Sequence, residues 1–446
     1  MGVRQHFVIG GDGTHRGAYG TYEAMKASGW ECAVVGIPKT IDNDVPMLDR
    51  TFGFDTACTE AAKSIHAAYT EATCNANCIG LVKLMGRHCG YIAMNACLAA
   101  RYVDICLLPE MEISADKVLN HCVQLMQTKG YAVIVVAEGC GNTLLKSSGD
   151  VDEGGNVKLA DVGPWLRDKI LAHFKKVRLP LTIKYIDPTY MIRAVKPNAN
   201  DSIYCAALAD SAVHAAMAGF TGVTMGKVCG HYVMLPIQAI TQQRPKRVDL
   251  TGRWFVRLVS TTRQPELLPD GAQRPTTAAQ PEEADGLEAC SEAVEDLEAV
   301  LARSEEVRRL ELEHLSVQFG QRDISSTLEE TVQGGRLNFM DENTWVTQAL
   351  GNKGANSVSL QMLRAGPRRT LHFKPDDVAA AIVTCGGLCP GLNSVIRELV
   401  MMLYAYGVRK VYGIKAGFKG AVKPQTWLTL TPENVKDIHI QDAPAL

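Results

Sequence analysis

Short apolar runs alternate with longer amphipathic segments from Phe7 to about Val136. Runs of this length are typical of strands buried on both faces, whereas the longer segments have the apolar spacing of helices that cover a sheet. The alternation predicts an α/β fold with a doubly wound parallel sheet. The predicted strands are Phe7–Ile9, Cys32–Ile37, Ile79–Leu84, Asp104–Leu108 and Tyr131–Ala137, and the predicted helices are Ala18–Ala27, Asp55–Ala72, Tyr91–Arg101 and Ser114–Lys129.

The pattern changes after Gln264. Before it, a helix is predicted at Ser202–Ala218 and strands at Gly222–Val228 and Tyr232–Leu235. After it, residues 265–285 are rich in Pro, Ala, Glu and Asp, which predicts a flexible linker. Residues 286–316 are charged and helix-prone, and their seven-residue apolar repeat is too short for a coiled coil, so a solvated helix is favoured.

A second strand–loop–helix unit lies near the end of the chain. Ala379–Thr384 reads as a buried strand, Val395–Tyr406 as a helix and Val411–Ile414 as a further strand. The predicted organisation is therefore a core over 1–265, an acidic linker with a helix over 266–335, and a terminal segment over 336–446.

A glycine-rich loop, Gly10–Thr14, joins the first predicted strand to the helix that follows. Glycines let backbone N–H groups close on a phosphate at a helix N-terminus. Asp12 adds a hard oxygen ligand, which suits Mg²⁺ held among phosphates. The loop therefore predicts phosphate binding by Gly11, Asp12, Gly13 and Thr14, with Asp12 as the magnesium ligand.

A second polar turn, Pro38–Asp44, ends the next predicted strand and carries the carboxylates of Asp42 and Asp44. A carboxylate there can accept the proton of a substrate hydroxyl while Lys39 stabilises phosphate charge. Both turns follow strands, where ligands of parallel sheets bind, so together they predict a phosphoryl-transfer site. The alternative interpretation of the two aspartates is a solvated turn that caps its own backbone.

Bulk composition excludes several classes of protein. The net charge of −2 gives no reason to expect nucleic acid or an anionic membrane as a partner. The chain is 46% hydrophobic without a long apolar run, which predicts a soluble globular protein. No histidine is placed in the sequence to complete a zinc site with any of the 14 cysteines. We therefore predict buried free thiols in a reducing compartment. With no targeting segment before the first strand, we expect a cytoplasmic location, with a plastid as the alternative.

The two turns, in this order, resemble the phosphofructokinases, in which Pro-x-Thr-Ile-Asp-Asn-Asp is close to a signature. The Gly10–Thr14 loop alone is less specific, because lipid and NAD kinases also contain one. Four further strings carry the resemblance, and the last of them is similar to the plant-type ATP-dependent branch. They are Thr51–Ala57, Met85–Arg87, Ala137–Gly139 and Tyr185–Ala194.

The resemblance implies doubly wound, mostly parallel sheets in two Rossmann-like lobes, with about 1–75 and 196–265 mainly in a nucleotide lobe and about 76–195 mainly in a sugar-phosphate lobe. It also implies transfer of the γ-phosphoryl group of ATP, with Mg²⁺, to the 1-hydroxyl of fructose 6-phosphate in a homo-oligomer. Asp42 would be the base, with Thr40 and Asp44 beside it. The implied sugar-phosphate contacts are Thr40, Met85, Gly86, Arg87 and Glu138, with Tyr190 and Arg193 on the 6-phosphate. The implied nucleotide contacts are Gly11, Asp12, Gly13, Thr14, Lys39, Gly386 and Gly387.

Gly13 favours ATP as the phosphoryl donor. In pyrophosphate-dependent relatives an aspartate stands at this place, and its carboxylate would crowd and repel the α-phosphate of ATP. Lys39 is shared with the pyrophosphate users, so pyrophosphate stays the nearest alternative donor.

The terminal unit resembles the opening of the same family, which elsewhere precedes the Gly10–Thr14 loop. Three hypotheses explain the swapped order: a piece of a tandem protein, a circular permutation in which the unit docks within its own chain, and complementation between two copies. The family also has paired glycines and a nucleotide-binding arginine between these pieces, and Gln441–Leu446 contains neither. This departure keeps open a catalytically impaired fragment or regulatory subunit that binds sugar phosphate without turnover.

Overall fold

The structure is a computed structural model that describes residues 2–145, 160–272, 307–328, 339–341, 343–350 and 358–441. Most of the predicted linker and the predicted charged helix up to residue 306 lie outside these ranges. The strands, in chain order, are β1 (Val3–Gly10), β2 (Ala33–Pro38), β3 (Cys78–Leu84), β4 (Ile105–Leu107), β5 (Tyr131–Ala137), β6 (Thr182–Ile186), β7 (Phe220–Thr221), β8 (Val223–Val228), β9 (His231–Pro236), β10 (Val307–Arg309), β11 (Glu313–His314), β12 (Ile324–Ser325), β13 (Trp345–Leu350), β14 (Val358–Arg364), β15 (Thr370–Leu371), β16 (Ala379–Thr384), β17 (Lys410–Ile414) and β18 (Leu428–Thr429).

The α-helices connect and cover these strands. They are α1 (Asp12–Ala27), α2 (Phe54–Cys74), α3 (Tyr91–Ala100), α4 (Ala115–Lys129), α5 (Gly141–Leu144), α6 (Val162–Lys176), α7 (Thr189–Arg193), α8 (Ala199–Ala218), α9 (Ile237–Thr241), α10 (Arg253–Thr262), α11 (Ser316–Phe319), α12 (Leu392–Tyr406), α13 (Phe418–Ala421) and α14 (Pro432–Val435). The ends of α4 are set by the local signals that the sequence predicts. The Ser114 side chain accepts a hydrogen bond from the backbone N of Lys117, and Gly130 follows the helix in the left-handed region.

Two sheets organise the described residues. The larger runs β10-β14-β9-β8-β2-β1-β16-β17-β18, with β13 paired to β14, and its centre from β8 to β17 is parallel. The smaller runs β4-β5-β3-β6 and is parallel throughout. The predicted α/β fold with two lobes is confirmed.

Helices cover both faces of the larger sheet, because alternate side chains of its central strands point to opposite sides. Val8 belongs to a buried cluster with Ala18 of α1 and Ile237 of α9. Phe7 belongs instead to the main core, which contains Leu208 of α8 and Leu399 of α12. This arrangement is the doubly wound one that the sequence predicts.

The terminal unit docks within its own chain. β16 lies between β1 and β17, in parallel register with β1 from Val3 opposite Ala379 to Ile9 opposite Thr384. The backbone N of Cys385 extends this ladder by donating to the carbonyl oxygen of Ile9 over 3.0 Å. The sheet is therefore completed in cis, as the circular-permutation hypothesis requires.

Two parts of the chain differ from the prediction. Residues 307–314 form β10 and β11 rather than the end of a charged helix, because their backbones pair with β14 and β7. Helix α10 and Gln264 pack against the smaller sheet. The sequence instead indicates that residues 196–265 belong mainly to the lobe that contains β1 and β2. The Gln264 side chain accepts from the backbone N of Cys106 over 2.7 Å and donates to its carbonyl oxygen over 3.2 Å.

The described cysteines are all free, and most are buried, as predicted. Within the described ranges, no helix has the length and apolar character needed to cross a membrane.

Candidate active site

A cavity of about 270 Å³ lies where β1 and β2 end, at the carboxyl edge of the parallel strands. Asp12 and Asp42 both line it, so the two predicted turns face one space. Of the other predicted site residues, its lining includes Gly11, Lys39, Thr40, Asp44 and Arg87.

The Gly10–Thr14 loop turns β1 directly into α1. Gly11 precedes the helix, and no side chain caps its first turn. The backbone N–H groups of that turn therefore point toward the cavity end of the helix without a side-chain acceptor, as phosphate binding requires. Gly10 is fixed by packing, since a Cβ there would lie 2.4 Å from Oγ1 of Thr14, whereas a Cβ on Gly13 would meet nothing within 4 Å.

Asp12 lies at the rim of the cavity. Its side chain is 53% exposed, and Oδ2 forms a 2.8 Å ion pair with Arg16 one turn along α1. In the described ranges no three His, Cys, Asp or Glu side chains are grouped as a metal site. A single accessible carboxylate at the uncapped first turn of α1 fits Mg²⁺, which takes one or two carboxylates together with phosphate oxygens and water.

The side chain of His15 holds the Gly10–Thr14 loop in place, a role that the sequence did not predict for any histidine. Its Nδ1 lies 3.1 Å from the carbonyl oxygen of Gly11, and its Nε2 lies 3.0 Å from Oγ1 of Thr224 on β8. Burial lowers the pKa of His15. The neutral ring thus holds the loop against β8, which is far away in sequence. The only sequence signal for this role is that His15 directly follows the loop.

Lys39 joins three loops. Its backbone N donates to the carbonyl oxygen of Gly10 over 2.8 Å, and its Nζ donates to the carbonyl oxygen of Gly387 over 2.6 Å. The side chain is almost fully buried, and burial lowers its pKa. Gly386 packs beside it, since a Cβ there would lie 3.4 Å from Nζ, and Thr14 contacts the thiol of Cys385 at the start of the same loop.

Asp42 is the most perturbed carboxylate of the cavity. Burial, with the charges of Asp44 and Glu138, raises its pKa to about 7, and Arg87 opposes this shift. Among the described residues, its Oδ1 has no hydrogen-bond partner. Thr40 fixes the turn by accepting from the backbone N of Asp42 over 3.2 Å and donating to Oδ1 of Asp44 over 2.8 Å.

The Met85–Arg87 and Ala137–Gly139 strings meet beside the cavity. The backbone N of Gly139 donates to the carbonyl oxygen of Gly86 over 3.0 Å. Gly86 has φ of 127°, and a Cβ there would lie 2.4 Å from the carbonyl oxygen of Cys89, so a side chain is excluded. Burial raises the pKa of Glu138, and the charges of Arg87 and Lys83 lower it, so these groups share one electrostatic environment. Met85 is half-buried next to them.

Tyr190 and Arg193 lie apart from this cavity. They share one face of α7, with the guanidinium 4.9 Å from the centre of the tyrosine ring. Tyr190 is largely exposed, and Arg193 lines a separate small cavity with Leu388, Asn393 and His439. The structure thus brings most of the predicted residues together and leaves this pair outside the lining of the cavity that contains Asp42.

Comparison with known proteins identifies the family of this chain. The phosphofructokinase family model matches residues 1–216 and 379–446. The chain is 49% identical over 273 residues to ATP-dependent 6-phosphofructokinase 7 of Arabidopsis thaliana, covering 60% of this chain and 56% of that protein. It is 44% identical over 274 residues to the ATP-dependent 6-phosphofructokinase of Amycolatopsis methanolica, covering 59% of this chain and 60% of that protein.

The chain spans little more than half the length of these relatives. Among solved structures, it is similar to a pyrophosphate-dependent phosphofructokinase from Marinobacter aquaeolei, with a TM-score of 0.47, 21% identity and coverage of 61% of this chain and 71% of that one. The family match includes the Gly10–Thr14 and Pro38–Asp44 turns of the cavity and the terminal unit that completes the sheet. The chain therefore belongs to the phosphofructokinase family.

Proposed function

We propose that the chain transfers the γ-phosphoryl group of ATP to the 1-hydroxyl of fructose 6-phosphate, giving fructose 1,6-bisphosphate. The observation that carries this proposal is that Asp12 and Asp42 line one cavity, with Lys39 between their loops. A metal-binding carboxylate, a phosphate-binding cation and a base are the parts that phosphoryl transfer needs, because positioning and charge stabilisation supply most of its catalysis.

Asp42 is the proposed base. Its pKa of about 7 lies near physiological pH, where a general base is most effective. Its Oδ1, which has no partner among the described residues, would accept the proton of the sugar hydroxyl. Thr40 and Asp44 would hold the turn in place through the 2.8 Å hydrogen bond between them.

The phosphate end of the site is proposed to lie between the first turn of α1 and the Gly386–Gly387 loop. The backbone N–H groups of α1 and the ammonium group of Lys39 would bind the donor phosphates. Asp12 would hold Mg²⁺, whose charge offsets the charge that develops on the transferred phosphoryl group. The open space around Gly13 supports ATP over pyrophosphate, because it leaves room for the α-phosphate.

The sugar-phosphate end is proposed to involve Met85, Gly86, Arg87 and Glu138. Arg87 lines the cavity with Asp42, and Glu138 lies close enough to shift the pKa of that base. Tyr190 and Arg193 remain the proposed 6-phosphate contacts. Arg193 lines a cavity other than that of Asp42, so the 6-phosphate of the sugar is proposed to lie beside Arg193 and Leu388.

A homo-oligomer in the cytoplasm, with a plastid as the alternative, completes the proposal. Tyr190 and Met191 expose about 70% of their surface on α7, which supports an interface on this side of the molecule.

The test is product analysis on the purified chain. We expect ³¹P NMR to show fructose 1,6-bisphosphate when ATP, Mg²⁺ and fructose 6-phosphate are supplied, and no transfer to 1-deoxyfructose 6-phosphate, which lacks the acceptor. Turnover only with pyrophosphate would overturn the choice of donor. Binding of fructose 6-phosphate without turnover of either donor would favour a regulatory or impaired subunit.

A further inference from the structure

A second cavity, of about 510 Å³, lies at the other end of the larger sheet. Ala218 and Phe220, which line it, precede β8, and Glu31, which contacts two of its lining residues, precedes β2. The cavity is therefore near the amino ends of these strands, whereas the candidate active site lies at carboxyl ends. All of its lining residues fall between 218 and 372, outside the ranges that match the family model.

Positive side chains dominate the wall of this cavity. Arg322, Arg368 and Arg369 line it, against one acidic side chain, Asp341. Arg368 is only 5% exposed, and its Nη1 and Nη2 donate to the carbonyl oxygens of Met340, Asp341 and Arg364 over 2.6 to 2.9 Å. These bonds use N–H groups of the guanidinium and fix its positive charge in the wall, where that charge attracts an anion.

A single carboxylate organises another part of the wall. Oε1 of Glu31 accepts from Nη2 of Arg322 over 2.5 Å and lies 3.0 Å from Nε2 of His372, and Oε2 of Glu31 pairs with Arg4. The single carboxylate of Glu31 thus contacts two arginines and a histidine, so the surroundings of the cavity keep an excess of positive charge.

His372 gives an independent indication of a ligand. It is 2% exposed, and its Nδ1 has no hydrogen-bond partner among the described residues. Because Nε2 donates to the Glu31 carboxylate, Nδ1 of the neutral ring is an acceptor that needs a donor. A buried acceptor in a cationic cavity calls for a ligand that carries both negative charge and an O–H donor.

We propose that this cavity binds a small phosphate-bearing anion, either inorganic phosphate or a phosphomonoester. Hydrogen phosphate has the negative charge that the arginines attract and the O–H donor that Nδ1 of His372 needs. The phosphate of a phosphomonoester is mainly dianionic at neutral pH, so a hydroxyl of its organic group would supply that donor. The cavity has the volume of small-molecule sites, which are roughly 300–1,000 Å³, so an organic group attached to the phosphate also fits. This site is separate from the proposed reaction and does not depend on it.

The test is isothermal titration calorimetry of the full chain with inorganic phosphate, glycerol 3-phosphate and sulfate at constant ionic strength. We expect phosphate to bind more tightly than sulfate, because sulfate matches its charge but has no proton for His372. Tighter binding of glycerol 3-phosphate than of phosphate would identify a phosphomonoester, and the reverse would identify free phosphate as the ligand.

Substitutions inside and outside the cavity test whether phosphate binds there. We expect Arg369→Met and Arg322→Met each to weaken phosphate binding by about tenfold or more, as expected for a lost charge-assisted contact. Arg308→Met, which changes an exposed arginine on β10 outside the cavity, is the matched control and should leave the affinity unchanged. Lys39→Met, at the candidate active site, should also retain this binding.

Three results would overturn the proposal: no phosphate binding at millimolar concentration, equal affinity for sulfate, or loss of binding in Lys39→Met but not in Arg369→Met. Arg322→Met removes one of the partners of Glu31 and could therefore fail to fold. In that case Arg369→Met alone tests the proposal, since Arg369 is an exposed side chain. Thermal unfolding of each variant verifies its fold.

Discussion

Lys39 and Gly387 are 348 positions apart in sequence, yet Nζ of Lys39 donates a 2.6 Å hydrogen bond to the carbonyl oxygen of Gly387. This bond links the turn that carries Asp42 to the loop that follows β16. The terminal unit therefore contributes to the candidate active site as well as to the sheet. A phosphate entering between these loops would meet an ammonium group that is already positioned.

Replacing Lys39 tests this arrangement. Lys39→Met keeps the aliphatic stem but removes the charge, and we expect the KM for ATP to rise by about ten- to a hundredfold, the cost of one charge-assisted contact. Lys175→Met is the control, because Lys175 is an exposed lysine in the last turn of α6, outside the cavity. Steady-state kinetics with ATP should be altered in the first variant and near normal in the second.

The donor preference is tested at Gly13. A Cβ at Gly13 meets nothing within 4 Å, so Gly13→Asp should fold normally while placing a carboxylate near the α-phosphate of ATP. We expect the KM for ATP to rise by at least about tenfold, with activity toward pyrophosphate maintained or gained. Gly20→Asp adds the same charge to the same helix, also into open space, and should leave ATP kinetics unchanged. An unaltered KM for ATP in Gly13→Asp would remove the structural basis for choosing ATP.

Much of this fold follows from local sequence signals. The strands from β1 to β5 are short apolar runs, and α4 has both a capping serine and a terminal glycine, so local patterns suffice to place them. The loops that line the cavity follow those strands, and parallel strands bring their carboxyl ends to one edge. The strand–loop–helix pattern of the terminal unit likewise predicts β16 and α12.

The parts that the sequence did not predict depend on distant contacts. His15 acquires its role from Thr224, and α10 is held on the smaller sheet by the pairing of Gln264 with Cys106. β13 and β14 form a hairpin at the edge of the larger sheet, where β14 pairs with β9. In each case the partner lies far along the chain, so no local pattern specifies it.

Docking of the terminal unit is tested at Ile382. This residue is fully buried in β16 opposite Phe7, so we expect Ile382→Ala to lower the free energy of unfolding by about 2–5 kcal/mol. Val422→Ala, at a side chain that is 80% exposed, should change it by no more than about 0.5 kcal/mol. If β16 pairs with β1 as described, hydrogen exchange of the β1 amides should accelerate in Ile382→Ala. Unchanged protection of β1 would contradict docking in cis.

Asp42 should couple stability to pH. Its pKa rises from 3.8 to about 7 on folding, so the folded state binds the proton more tightly than the unfolded state does. This stabilisation is fully present below about pH 4 and is lost as the pH rises through about 7. Urea unfolding from about pH 5 to about pH 8 should therefore show a steeper loss of stability in wild type than in Asp42→Asn. Identical pH dependence in both proteins would mean that Asp42 titrates normally.

The most direct measurement is the kcat of Asp42→Asn with ATP, Mg²⁺ and fructose 6-phosphate, beside wild type and the surface control Asp116→Asn. The asparagine keeps the shape of the side chain but cannot accept the substrate proton, so we expect kcat to fall by about 10²–10⁴-fold while the KM for fructose 6-phosphate changes little. A kcat within about threefold of wild type would contradict the assignment of Asp42 as the base, and with it the active site proposed for this chain.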